Sequence, residues 1–79
     1  MWKIELEKPI DVAGQNLTYI QMREPTVRDR MAMGRKKGSD EEKELALISN
    51  LVEIPEDDLA NMSLKDYRKF FDKLADFLL

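Results

Sequence analysis

At 79 residues the sequence has room for one domain, and it contains neither cysteine nor histidine. Disulfides, thiolate metal sites, the commonest metal ligand and the commonest general base are thereby excluded. The net charge of −3 does not suggest attraction to nucleic acid, and no apolar run approaches the ~20 residues of a membrane span.

A chain this short buries only about 60% of its unfolded surface, so marginal stability is expected. Charges inside the opening Met1-Trp2-Lys3-Ile4-Glu5 argue against a secretory signal and make the cytoplasm the expected location.

Trp2, Ile4 and Leu6 alternate with Lys3, Glu5 and Glu7, the period of a half-buried strand. Pro9 implies an edge position or a break. Ala13-Gly14-Gln15-Asn16 supplies a turn, and the β-formers Thr18, Tyr19 and Ile20 mark a second strand within Leu17 to Met22. The two strands predict an antiparallel hairpin over 2–22, which needs helices on one face to be stable.

Thr26 with Asp29 predicts a capping box opening a helix over about 26–37. Its apolar stripe is Val27, Met31 and Gly34, with Met33 off the stripe. Ser39 with Glu42 predicts a second capping box and a helix over about 40–53, whose Leu45, Leu47, Ile48, Leu51 and Val52 span an arc of roughly 160°. Pro55 starts a short turn of helix over about 55–61. Ser63 with Asp66 predicts a third cap for a helix over about 64–78. That helix is amphipathic, with Leu64, Tyr67, Phe70, Phe71, Leu74, Phe77 and Leu78 against Lys65, Arg68, Lys69, Asp72, Lys73 and Asp76. The fold class is α+β, one domain over 1–79 with an N-terminal antiparallel hairpin and three to four helices packed on one face.

Arg28, Arg30, Arg35, Lys36 and Lys37 invite a nucleic-acid reading of segment 28–37. The cations at its end and Asp40, Glu41 and Glu42 at the next helix start also complement helix dipoles, and nucleic-acid binding is the weaker reading. Asp40 to Glu44 lacks the ligand spacing of a calcium loop. No nucleophile–base set is present, so no catalysis and no cofactor are expected.

The helices carry more apolar surface than a hairpin can cover, and the excess is expected to meet a partner or a second copy. Phe70 and Phe77, with Leu47, fall on arc margins and are expected to be exposed, while Tyr67, Phe71 and Leu74 are expected beneath the sheet. Arg23 and Glu24 have no local role and could pair with the acidic helix or contact a partner. The candidate partner-binding residues are Leu47, Leu51, Tyr67, Phe70, Phe71, Phe77, Leu78, Arg23 and Glu24.

Several segments in this order carry a family likeness: the Lys8-Pro9-Ile10 strand, Arg23-Glu24-Pro25-Thr26-Val27-Arg28-Asp29, Leu45-Ala46-Leu47-Ile48-Ser49-Asn50-Leu51, Pro55-Glu56-Asp57-Asp58-Leu59 and Leu64-Lys65-Asp66-Tyr67. From Ile4 to Leu78 the chain resembles the tail assembly chaperones of contractile-tailed (Mu-like and related) phages and prophages. The resemblance implies a protein of the host bacterial cytoplasm, absent from the mature virion. Its implied role is to bind the tape measure protein and keep it soluble until the tail tube polymerises. Self-association is expected, without nucleic-acid or membrane partners. The rival readings are a small nucleic-acid-binding regulator and a structural tail or baseplate subunit.

Overall fold

The computed structural model describes the backbone of residues 1–78 and the side chains of residues 1–75. The elements are β1 (Trp2–Val12), β2 (Gln15–Met22), α1 (Val27–Arg35), α2 (Asp40–Val52), α3 (Glu56–Ala60) and α4 (Leu64–Leu78). The α+β class and the N-terminal hairpin are as the sequence predicts, with helix ends moved by one or two residues.

Ala13 and Gly14 both take positive φ, 52° and 82°, and join the strands as a two-residue turn. Two positive φ angles match the right-handed twist of a hairpin, although only Gly14 adopts one without a Cβ penalty. The strands pair antiparallel from Trp2↔Met22 to Glu5↔Tyr19 and again from Ile10↔Leu17 to Val12↔Gln15. Between Glu5 and Ile10 the register shifts, and Pro9, which has no N–H to give a ladder, falls in that irregular segment.

Both expected capping boxes form. Asp29 N–H donates to Thr26 Oγ1 at 3.3 Å while Thr26 N–H donates to Asp29 Oδ2 at 2.8 Å. Ser39 and Glu42 repeat the arrangement at the start of α2. At its other end α2 closes on Glu53, a non-glycine residue with φ 57°, and Ser49 Oγ donates to Ile54 O at 2.6 Å.

The core gathers Ile4, Ile20 and Met22 from the hairpin, Leu47, Ile48, Leu51 and Val52 from α2, Ile54, Leu59, and Phe70 and Leu74 from α4. Helix α2 contacts β2, α1 and α3, so Leu47, Ile48, Leu51 and Val52 of its wide apolar arc are buried while Leu45 stays half-buried. That position corrects the expectation for Leu47: a helix with neighbours on several sides buries its margins too, and Leu47 is buried.

Candidate functional site

The polar group that fixes the layout is Asp66, a fully buried carboxylate. Its Oδ1 accepts from Glu7 N–H and its Oδ2 from Lys8 N–H, both at 3.0 Å, in the stretch where β1 leaves register. Lys69, one turn on, places Nζ 3.1 Å from Asp66 Oδ1 and donates to Glu5 O at 2.8 Å. Burial pushes the Asp66 carboxyl up, but the two amides and the Lys69 ammonium outweigh it and hold the group at about 2. Ser63 Oγ does accept from Asp66 N–H at 3.3 Å, as a cap would. The carboxylate itself reaches across to the hairpin, a role its spacing from Ser63 did not disclose.

This anchor sets the rotation of α4. Phe70 and Leu74 follow Asp66 at successive steps of four and share its face, so all three are buried, Phe70 with no exposed surface. The expected exposure of Phe70 is therefore corrected, and Leu51 likewise lies in the core. Leu64, Tyr67 and Phe71 form the neighbouring stripe. Leu64 is 63% exposed, and Tyr67 and Phe71 are half-buried rather than enclosed beneath the sheet. Phe77 and Leu78 lie outside the residues whose side chains are described.

Tyr67 and Phe71 meet edge-to-face at 5.2 Å and join two shallow apolar clefts. One, of about 370 Å³, is lined by Leu45, Leu59, Met62, Leu64 and Tyr67, with Glu41 at its rim. The other, of about 310 Å³, is lined by Met33, Leu47, Phe71 and Leu74, with Glu44 and Asp72 at its rim. Burial, then Asp40 and Glu41, raises the Glu44 carboxyl above its ordinary value. Burial, then Glu44 and Glu56, pushes Tyr67 up to about 12. The result is an apolar band along one side of α4 with acidic margins.

Helix α1 buries none of its residues. Val27 is 77% exposed and Met31 57%, whereas Met33 packs against the core. This reverses the expected roles of Met33 and the stripe, and the cause is again an aspartate. Arg23 holds Asp29 in a two-pronged pair at 2.7 and 3.0 Å, and Met33 lies four residues beyond Asp29 on the same side. The hydrogen bonds from Arg23 hold the Asp29 carboxyl far below its ordinary range. Arg23 thus pairs with Asp29 instead of the acidic helix, and its backbone N–H also donates to Leu51 O at 3.1 Å. Glu24 is exposed. Arg28, Arg30, Arg35, Lys36 and Lys37 are exposed as well, and among the described residues no ion pair joins them to α2.

Among the described residues no group of three or more Asp and Glu side chains is placed to share a metal ion, and no helix is long and apolar enough to cross a membrane. Nothing among curated proteins or solved structures matches the chain. Residues 3–79 match the family described as "Phage tail assembly chaperone proteins, E, or 41 or 14". With all but two residues of its length inside that match, this hairpin-and-helix chain belongs to the phage tail assembly chaperone family.

Proposed function

We propose that the protein acts by binding and not by catalysis, and that the Leu64–Tyr67–Phe71 band holds an apolar helix of the tape measure protein during tail assembly. The observation that carries this reading is the band itself: an exposed leucine and two half-exposed rings at helical spacing, bordered by Glu41, Glu44 and Asp72. A groove of this kind receives an amphipathic helix through anchors spaced three and four residues apart. The acidic margins favour a client helix with Lys or Arg beside its apolar stripe. Release as the tube polymerises calls for modest affinity, about −8 kcal/mol at micromolar Kd. In this reading the protein works in the host cytoplasm and is absent from the mature virion.

Co-expression with the tape measure protein of the same genome tests this. Wild type should co-purify with the client and increase its soluble fraction, while Leu64→Glu, at an exposed position, should fold normally and lose both effects. A client equally soluble with and without the chain would end the proposal. Mass spectrometry of purified virions should find no copy of the chain, and stoichiometric copies would make it a structural subunit instead.

A further inference from the structure

The two strands of the hairpin treat their outer edges differently. Strand β1 carries Lys3, Glu5, Glu7, Lys8 and Asp11, contains Pro9, breaks register, and has the amides of Glu7 and Lys8 covered by Asp66. Those are the devices by which proteins protect a sheet edge from pairing with another chain. Strand β2 has none of them. Its eight residues, Gln15 to Met22, include no charge, no proline and no glycine.

In a two-stranded sheet, alternate residues of β2 direct their N–H and C=O away from β1. Among the described residues, no backbone hydrogen bond outside the hairpin ladder and no side-chain hydrogen bond reaches the main chain of residues 15–22. Along this edge runs a cleft of about 550 Å³, whose far wall is Leu51, Val52, Glu53 and Ile54, with Arg23 following the strand's end. It shares no lining residue with the clefts of the α4 band.

We infer that β2 is a docking edge for β2 of a second copy, giving a two-fold dimer with a continuous four-stranded antiparallel sheet. The strand suits itself. Being uncharged along its whole length, the strand brings no like charges of its own into register with an identical strand, whereas β1 carries five charged residues. A two-fold axis through Thr18 sets Thr18 opposite Thr18 and places Leu17 across from Tyr19 twice, an aliphatic–aromatic pairing that stabilises neighbouring strands. Tyr19, 45% exposed, and Leu17, half-buried, have surface to lose. Extending two strands to four also relieves the weakness of an isolated hairpin. The surface is separate from the client band, so the dimer stands or falls independently of the tape measure reading.

The test is sedimentation equilibrium of the full chain from micromolar to millimolar concentration, with charge substitutions at the axis. Wild type should move from monomer to dimer across that range. Thr18→Lys and Thr18→Glu should each weaken the dimer by about tenfold or more, because like charges face each other. An equimolar mixture of the two should recover a heterodimer close to wild-type strength. Amide hydrogen exchange of wild type supplies a readout that needs no variant: residues 16–20 should exchange more slowly as concentration rises. A wild type that stays monomeric, a dimer indifferent to either charge, a mixture that stays monomeric, or amides that ignore concentration would each overturn the inference.

Discussion

Removing the Asp66 carboxylate should loosen the hairpin from α4. In Asp66→Ala, Glu7 N–H and Lys8 N–H lose their acceptors and Lys69 loses its counter-ion. Taking one partner from a buried charged network destabilises by about 3–5 kcal/mol. Glu7 and Lys8 are themselves exposed, so water can reach part of the vacated site and the lower end is expected. Even about 3 kcal/mol is a large share of the roughly 4–12 kcal/mol typical of a domain this size. Asp66→Asn should fall between, since its amide oxygen can accept from one N–H while its NH₂ group faces the other.

Urea unfolding followed by far-UV circular dichroism measures the loss, and its pH dependence identifies the cause. The unfolded carboxyl takes its proton near 3.8, whereas the folded one keeps its charge down to about 2. Between those values the unfolded chain binds more protons, so stability contributed by Asp66 is fully present above pH ~4 and disappears as pH falls toward 2. The shift corresponds to about 2 kcal/mol. Wild type should therefore lose about 2 kcal/mol of its advantage over Asp66→Ala across that interval. A loss under about 1 kcal/mol at neutral pH, or a difference between the two proteins that does not shrink in acid, would refute the anchoring role.

Other substitutions probe separate parts of the structure. Ala13→Asn should stabilise by about 1 kcal/mol, because asparagine tolerates the left-handed conformation that Ala13 adopts; a lower thermal midpoint would contradict the turn geometry. Phe70→Ala should cost about 3–5 kcal/mol and Leu64→Ala under about 0.5 kcal/mol in the same unfolding assay, and equal losses would mean that α4 is rotated differently. Arg23→Ala should cost about 1–3 kcal/mol and expose the amides of 27–35 to hydrogen exchange, since Asp29 would lose its charged partner; unchanged exchange would show that α1 is held by something else. The exposed cations of α1 should give no gel shift with nucleic acid at micromolar protein and low salt, and a salt-sensitive shift would revive the rival regulator reading.

The secondary structure was legible because local rules dictate it. Alternation marked β1, Gly14 marked the turn, and Thr26–Asp29 and Ser39–Glu42 announced two helix starts that the structure contains. What periodicity misjudged was helix rotation. In α1 it turned Val27 and Met31 inward, and in α4 it put Phe70 at an exposed margin, yet both arrangements are reversed. The wide apolar arc of α4 has no unique inward direction, and the three-residue stripe of α1 is too slight to impose one, so the apolar pattern alone cannot choose. The choice falls to a polar contact that must be satisfied across a long sequence distance. Asp66 lies 59 residues from Glu7, and no spacing rule connects them. Leu47 was misread for a related reason, since a central position for α2 depends on where three other elements pack.

The same rotation ties the anchor to the proposed band. Residues 66, 70 and 74 share one side of α4, and 64, 67 and 71 share the next, so turning Asp66 toward β1 turns Leu64, Tyr67 and Phe71 toward water. A hydrophobic residue at 66 would remove the polar contact that selects this rotation over others that bury a different part of the apolar arc. Among the described residues the buried carboxylate finds its hydrogen-bond donors on the hairpin and on Lys69, so a rotated α4 would leave it buried without them. The charge that fixes the rotation of α4 therefore also fixes which of its apolar residues face water. Weakening Asp66 should accordingly blunt client binding at a temperature where the chain is still folded, before stability is lost.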